Sequence, residues 1–348
     1  MKNFAQRILK PMNTDQSEPN QNPVTRRTAL QSALAAGSVA AIAGSQTQPA
    51  KPDPRRASPR RYNMKKSINL WAFPYPERMN LRECMQLAKN AGFDGIELNY
   101  DLDNDLSPRA TAKDLRGIRA MADKIGIAIS GLCSFLFWPF PLSSNDPKKR
   151  ARGMELAGNM IQAAHDLGVE NLLVVPGAVH IPWRTDHEPV PNDVCDRRAR
   201  DAVTRLLPRA EKLRVSLNIE NIFFNGYLMT PAEMIAFVDS FKSKYVRVHF
   251  DTGNIMLFQF PEHWIAQLGN RIKNTHFKEF TKKGTDHSLE SFRPLLDGTT
   301  NWPAVMEALD KIGYRDYLTF EYFHPYLHYP EALVYQTADS LDRMLGRK

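Results

Sequence analysis

Residues 246–277 read VRVHFDTGNIMLFQFPEHWIAQLGNRIKNTHF, and this stretch contains one complete unit of the predicted fold. Two short apolar segments, Val246–Phe250 and Ile272–Phe277, are typical of strands buried in a parallel sheet. Residues 261–269 lie between them and have helical periodicity. A strand, a helix and a second strand in this order predict a βαβ unit with two parallel strands.

The same alternation extends from Ser67 to the end of the chain. The expected strands are Ile68–Phe73, Gly95–Leu98, Ile127–Leu132, Asn171–Val175, Val215–Ile219, Val246–Phe250, Ile272–Phe277 and Tyr317–Phe320. The expected helices span residues 80–91, 111–125, 147–167, 192–213, 231–242, 261–269, 302–312 and 330–345. Eight such units over about 280 residues predict an α/β protein with a (β/α)8 TIM barrel. A doubly wound open sheet is the alternative, but it rarely needs eight regular units.

The first 66 residues differ in composition from the rest of the chain. They contain 12 Lys and Arg residues and three acidic residues, whereas the whole 348-residue chain has a net charge of +8. Thr25-Arg26-Arg27-Thr28-Ala29-Leu30 precedes a mildly apolar run from Ala33 to Ala43, which resembles a Tat export signal. We therefore expect a Tat-type signal peptide at residues 1–43, a flexible basic linker at 44–66 and a single barrel domain at 67–348. Such a signal predicts a periplasmic location.

Composition excludes several other classes of protein. Beyond residue 66 the chain has 34 basic and 35 acidic residues, so no excess positive charge favours nucleic-acid binding. The sequence contains no run of about 18 apolar residues, so no membrane span is predicted in the mature form. Cys84, Cys133 and Cys195 are widely spaced, which favours buried thiols over a disulfide framework. The sequence leaves homo-oligomerisation open.

Four chemically active side chains stand where consecutive strands are expected to end: Glu220, Asp251, His276 and Glu321. The carboxyl ends of the strands meet at one face of a TIM barrel, so we expect these side chains to converge. Three converging carboxylates repel one another unless a cation joins them. A lone acidic residue at a strand end is usually a helix cap. Four at matching positions instead predict one divalent metal ion, with Mn²⁺ first and Mg²⁺, Co²⁺ or Zn²⁺ as alternatives.

The segments around these residues resemble the sugar phosphate isomerase/epimerase family, which has a xylose isomerase-like TIM barrel. The motifs are Ile219-Glu220-Asn221, Asp251-Thr252-Gly253-Asn254, His276-Phe277-Lys278-Glu279 and Phe320-Glu321-Tyr322. The resemblance runs from about Ile68 to the C-terminus. It implies that Glu220, Asp251, His276 and Glu321 bind a single divalent metal ion.

The resemblance also implies a reaction on a small-molecule carbohydrate. A metal ion that binds a carbonyl and its neighbouring hydroxyl stabilises the enediolate formed when the α-proton is removed. Glu220 and Glu321 are then the two catalytic carboxylates. Return of the proton on the opposite face gives epimerisation, and return to the other carbon on the same face gives isomerisation.

Four further residues are predicted to contact the substrate: Lys278, Asn254, Glu97 and His180. Lys278 lies two residues beyond His276 and hence on the same face of the strand. Ordinary loop, capping or salt-bridging roles are the alternatives for these residues. His249 is expected to be a core histidine or a partner of the metal ligands. An aromatic wall for a sugar, or alternatively barrel packing or a dimer contact, is expected from Trp71, Phe73, Phe135, Phe137 and Trp138.

Two positions depart from the pattern of ketose 3-epimerases, because Asn254 replaces a histidine and Lys282 an arginine. These departures leave two alternatives open. One is a keto-sugar or keto-inositol dehydratase, or another β-eliminating lyase, and the other is a non-catalytic sugar-binding barrel. An apurinic endonuclease is disfavoured, since its trinuclear zinc cluster needs additional histidines and the predicted domain lacks positive charge.

Overall fold

The computed structural model describes residues 58–284 and 287–347; the predicted signal peptide at 1–43 lies outside the described residues. The strands are β1 (Lys65–Asn69), β2 (Gly95–Asn99), β3 (Ala128–Cys133), β4 (Asn171–Val174), β5 (Ser216–Glu220), β6 (Val246–Asp251), β7 (Ile272–Phe277), β8 (Glu279–Phe280), β9 (Phe292–Arg293) and β10 (Tyr317–Phe320). The helices are α1 (Leu81–Asn90), α2 (Ala112–Ile125), α3 (Pro147–Asp166), α4 (Asn192–Leu213), α5 (Pro231–Ser240), α6 (Pro261–Leu268), α7 (Trp302–Lys311) and α8 (Pro330–Met344).

Eight of the strands form a closed parallel barrel in the order β1-β10-β7-β6-β5-β4-β3-β2. The predicted TIM barrel is therefore confirmed. The first and last barrel strands are neighbours, with Ile68 opposite Phe320. The short strands β8 and β9 pair antiparallel outside the barrel, in the connection between β7 and α7, and the sequence pattern does not predict them.

The helices begin and end where local chemistry favours it. Thr230 accepts a hydrogen bond from the backbone of Glu233, whose carboxylate bonds back to Thr230, so α5 starts with a capping box. Pro231 occupies the first turn of the same helix, as predicted. Gly126 ends α2 with a φ of 79°, a left-handed conformation that glycine adopts without steric cost.

Packing on the outside of the barrel decides which residues point inward. Phe250 of β6 stacks against Trp264 of α6, with ring centroids 6.0 Å apart, and Phe277 of β7 stacks against Trp302 of α7 at 4.9 Å. Successive side chains of a strand point to opposite faces. The residues that precede these two phenylalanines, His249 and His276, therefore point into the barrel.

The start of the barrel differs from the prediction. β1 begins at Lys65 and ends at Asn69, because residues 70–72 form a tight turn in which Trp71 N donates to the Asn69 side chain. The predicted linker at 44–66 thus overlaps the folded domain, and Tyr62 N donates to Leu345 O at 3.0 Å. Lys66 suggested a solvated linker, yet it is buried and pairs with Asp342 at 2.7 Å.

Two expectations from composition concern this described part of the chain. No helix within residues 58–284 and 287–347 combines the length and apolar character that a bilayer crossing requires. The three cysteines, Cys84, Cys133 and Cys195, are all buried free thiols, as predicted.

Candidate active site

The four predicted metal ligands converge at the carboxyl end of the barrel. Glu220 and Asp251 are the last residues of β5 and β6, His276 lies in β7, and Glu321 directly follows β10. All four side chains are buried, and one donor atom from each lies within 4.8 Å of the others. His276 Nδ1 is 3.3 Å from Glu220 Oε1 and 3.4 Å from Glu321 Oε1. Its distance to Asp251 Oδ2 is 4.0 Å.

The strand register explains this convergence. Asp251 and His276 are direct neighbours across β6 and β7, and His276 is opposite Thr319 of β10. Glu321 follows two residues after Thr319 and therefore points to the same face. Parallel strands with these registers bring four distant parts of the sequence to one point.

The electrostatics of this cluster favour a cation. Burial raises the pKa of both Glu220 and Glu321, and the charge of Asp251 raises each further. Burial tends to lower the pKa of His276, but the charges of Glu321 and Glu97 outweigh it and raise that pKa. The donor set of three carboxylates and one imidazole therefore fits a divalent ion that accepts oxygen and nitrogen ligands.

Glu97, predicted as a substrate contact, is placed behind His276. Its carboxylate Oε2 lies 2.6 Å from His276 Nε2 and accepts a hydrogen bond from Asn69 Nδ2 at 2.7 Å. Only 1% of Glu97 is exposed. A carboxylate bound to one imidazole nitrogen fixes the other nitrogen toward the ligand cluster, so this geometry fits an orienting partner.

Lys278 and Asn254 lie directly beside the four donors. The ammonium group of Lys278 is 3.1 Å from Asp251 Oδ2 and forms an ion pair with Glu321 Oε2. It also donates to Asn254 Oδ1 at 3.1 Å. Burial tends to lower the pKa of Lys278, but the charges of Asp251 and Glu321 outweigh it and raise that pKa. The ammonium therefore remains charged between two of the four predicted donors.

Comparison with known proteins identifies the family to which this barrel belongs. The family model described as xylose isomerase-like TIM barrel matches residues 85–344. The chain belongs to this family.

Proteins similar to this chain align with most of its length. The L-ribulose-5-phosphate 3-epimerase UlaE of Escherichia coli O1:K1 / APEC is 24% identical over 273 residues, which are 76% of this chain and 91% of that protein. A solved L-ribulose 3-epimerase has a TM-score of 0.66 and 20% identity, and covers 82% of this chain and 95% of its own. The 3-keto-D-glucoside 4-epimerase YcjR from E. coli has a TM-score of 0.63 and 17% identity, with coverages of 81% and 98%.

His180, which was predicted as a site residue, lies apart from the four donors. It lies exposed in the connection between β4 and α4, and its ring is 6.2 Å from that of His187. Its backbone N donates to Asn225 O at 3.1 Å. No hydrogen bond or ring contact of His180 reaches the four donors in the part of the chain that the structure describes.

Three aromatic rings gather at the same end of the barrel, and we call Trp71, Phe135 and Phe323 the aromatic triad. Their centroids are 4.2 Å apart for Trp71 and Phe135, and 5.2 Å for each ring against Phe323. Sequence reasoning missed Phe323, although it lies two residues beyond Glu321. The other predicted wall residues are placed differently: Phe73 and Phe137 are buried in the core, and Trp138 packs edge-on against Trp183.

His249 lies one layer below Asp251, with its ring 4.1 Å from that of His276. It is fully buried, and burial lowers its pKa, so the imidazole is neutral. Neither of its ring nitrogens has a hydrogen-bond partner among the described residues. The expected core position of His249 is confirmed, but its side chain is not satisfied there by hydrogen bonds.

Proposed function

We propose that the protein is a divalent-metal-dependent sugar epimerase or isomerase that moves a proton on the carbon next to a carbonyl group. The observation that carries this proposal is the convergence of three carboxylates and one imidazole at the carboxyl end of the barrel. The relatives named above support it, since their names describe epimerisation at a carbon adjacent to a ketone.

Glu220, Asp251, Glu321 and His276 Nδ1 would hold the metal ion, with Mn²⁺ as the first candidate. A divalent cation held by these residues would draw electron density from a carbonyl and its neighbouring hydroxyl and so make the adjacent C–H bond more acidic. Glu97 keeps His276 oriented through the bond to Nε2. The side chains of the protein carry out the remaining steps, which are proton transfer and orientation of the substrate.

Glu220 and Glu321 are the two proton carriers. They stand on β5 and after β10, with β7 and β6 between these strands in the barrel order, so they approach a bound substrate from different sides. One carboxylate takes the proton, and the electron pair of the C–H bond becomes the double bond of the enediolate. The other carboxylate returns a proton to the opposite face.

Lys278 and Asn254 supply polar contacts at the same site. The Lys278 ammonium donates toward oxygen atoms and would bind a substrate hydroxyl next to the reacting carbon. Asn254 accepts from Lys278 and donates its own Nδ2 to Asn221 O at 3.0 Å, which fixes the amide. The two residues together would orient the hydroxyl groups of the sugar.

The test is solvent-deuterium exchange. The metal-loaded protein is incubated in D₂O with ketoses and keto-glycosides, and loss of the α-proton signal is followed by NMR. We expect Glu220→Gln and Glu321→Gln each to slow exchange by about 100-fold or more. Glu155→Gln, which alters an exposed residue of α3, is the matched control. Undiminished deuterium incorporation in both site variants would refute the proposal.

A β-eliminating lyase is the second candidate, because the ion pair of Lys278 with Glu321 places an acid beside a proton carrier. In this reaction a carboxylate removes the α-proton, the electron pair forms the new C=C bond, and the β-oxygen leaves with a proton from Lys278. The same NMR experiment distinguishes the two, since elimination gives the vinylic signal of an enone and epimerisation does not.

We also propose that the protein is exported through the Tat pathway, on the basis of Arg26-Arg27 and the apolar run that follows. Replacing both arginines by lysine is expected to retain the protein in the cytoplasm. Cell fractionation measures the result, and an unchanged periplasmic fraction would contradict it.

A further inference from the structure

The aromatic triad lies just beyond the carboxyl ends of three barrel strands. Trp71 belongs to the turn after β1, Phe135 to the turn after β3, and Phe323 follows β10 by three residues. All three rings are only partly buried. The interplanar angles are between 46° and 48°, so the rings are tilted against each other and do not stack face to face. Part of their apolar surface therefore remains exposed to solvent at the carboxyl end of the barrel.

Hydrogen bonds connect the turn that carries Trp71 to the proposed metal ligands. Trp71 N donates to Asn69 Oδ1 at 2.8 Å, and Asn69 Nδ2 donates to Glu97 at 2.7 Å. Glu97 in turn holds His276 Nε2 at 2.6 Å. The position of the Trp71 turn is thus fixed relative to the cluster by two intervening side chains.

Lys278 connects the triad to the cluster from a second side. Its ammonium lies 5.0 Å from the ring centroid of Phe323 and 3.1 Å from Asp251 Oδ2. Phe323 also follows Glu321 by only two residues. The Phe323 ring and the carboxylates of Asp251 and Glu321 therefore contact the same ammonium group.

We propose that the aromatic triad binds the apolar face of a closed sugar ring, so that the substrate is a ring-form keto-sugar such as a keto-glycoside. This inference rests on the proposed function. In a pyranose the axial C–H groups on alternate carbons point to the same face of the ring, and this face can pack against an aromatic surface. The rotating carbons of an open-chain ketose keep no such face.

The barrel order agrees with this orientation. β5, which carries Glu220, lies across the barrel from β1, which precedes Trp71. A sugar ring packed on the triad would present its other face toward Glu220. The glycosidic bond keeps the ring closed, so the ketone sits on a ring carbon. The α-proton can then leave and return without ring opening, and the reaction needs no further reactant.

The experiment compares two classes of substrate in D₂O with the metal-loaded full-length protein. Methyl 3-keto-glucopyranoside represents the locked ring, and D-ribulose and D-fructose represent ketoses that open. We expect α-proton exchange to be faster with the locked glycoside. Exchange confined to the ketoses would overturn the inference and leave the proposed function intact. No exchange with either class would overturn both.

Variants of the triad test which side chains bind the glycoside. Trp71→Leu and Phe323→Leu are each expected to raise the KM for the glycoside about tenfold with little change in kcat, since stacking contributes to binding. Trp71→Phe keeps an aromatic ring and should recover most of the affinity. Trp183→Leu removes a ring that packs against Trp138 outside the triad, and it is the matched control.

Binding of unreactive methyl β-glucopyranoside by calorimetry gives a readout that does not depend on catalysis. We expect the dissociation constant to rise about tenfold in Trp71→Leu and in Phe323→Leu. Thermal unfolding identifies any variant that has lost its fold. In that case the dissociation constant of the other variant is the test. Unchanged affinity in a folded triad variant would overturn the inference.

Discussion

The orientation of His276 depends on one buried carboxylate. Glu97 comes from β2, and its Oε2 lies 2.6 Å from His276 Nε2, so Nδ1 is left to face the three other donors. Gly131 makes room for this carboxylate, because a Cβ at that position would lie 2.8 Å from Glu97 Oε1. The proposed metal site thus requires a small residue on β3 as well as its own donors.

Removal of the Glu97 carboxylate is expected to weaken metal binding. Glu97→Ala should lower the affinity for Mn²⁺ by about 10- to 100-fold, as is typical when the hydrogen-bond partner of a metal-bound histidine is lost. The Mn²⁺ affinity of Glu97→Gln should fall between those of the wild type and Glu97→Ala, since its amide oxygen still accepts a hydrogen bond. Competition with a chromogenic chelator measures the affinity. The same affinity in wild type and Glu97→Ala would show that His276 needs no such partner.

Lys278 is expected to stabilise the metal-free protein. Its ammonium lies between Asp251 and Glu321, so Lys278→Met leaves two buried carboxylates close together with one positive neighbour fewer. We expect the free energy of unfolding of the metal-free protein to fall by about 3 kcal/mol. Saturating Mn²⁺ should recover most of this loss, since it supplies the missing charge.

Chemical denaturation with and without Mn²⁺ measures both quantities for Lys278→Met. Lys311→Met, which breaks an exposed pair with Glu307 on α7, is the control and should change stability little. An equal loss in the metal-free and metal-saturated states would mean that Lys278 contributes packing alone.

At the level of elements, the connection between β7 and α7 is organised by Glu279. This buried carboxylate accepts from Thr300 Oγ1 and Trp302 Nε1, each at 2.6 Å, and from Leu296 N at 3.1 Å. It therefore joins β8 to the start of α7. Glu279 directly follows Lys278 in the sequence, but its hydrogen bonds stabilise the connection between β7 and α7.

Loss of the Glu279 carboxylate leaves several donors without an acceptor. We expect Glu279→Ala to lower the free energy of unfolding by about 3 kcal/mol, while Glu279→Gln, which retains one oxygen, should lose less. Urea denaturation of the metal-free proteins provides the values. A loss for Glu279→Ala no larger than that for Glu279→Gln would contradict this role.

On the scale of the whole molecule, the folded domain begins earlier than its composition indicates. Ser58 N donates to Arg343 O at 2.8 Å, Tyr62 N to Leu345 O at 3.0 Å, and Lys66 pairs with Asp342. The segment before β1 therefore packs against the end of α8 and the residues that follow it.

Two shortened chains test this boundary. A chain that starts at Ser67 loses the first two residues of β1 and the buried Lys66–Asp342 pair, so we expect it to be recovered mainly as insoluble protein. A chain that starts at Ser58 retains both and should unfold cooperatively. Soluble yield and circular dichroism compare them. Equal yield and equal melting temperature would show that residues 58–66 are dispensable.

The strands that carry the proposed metal ligands were predictable, because alternation and strand ends are local features. Glu220, Asp251 and His276 each follow from their own strand and from the rule that parallel strand ends meet. The bond from Glu97 to His276 was not predictable, since it joins residues 179 positions apart. Phe323 likewise lies in a loop without periodicity, and its place depends on contacts with Trp71 and Phe135.

The pairing of β1 with β10 has a consequence for biosynthesis. The final seam of the barrel cannot form until the C-terminal part of the polypeptide has left the ribosome, because β10 begins only at Tyr317. Glu321 emerges with that strand, so a nascent chain lacks one of the four donors until translation is nearly finished. The proposed cation site is therefore completed only late in the maturation of this polypeptide.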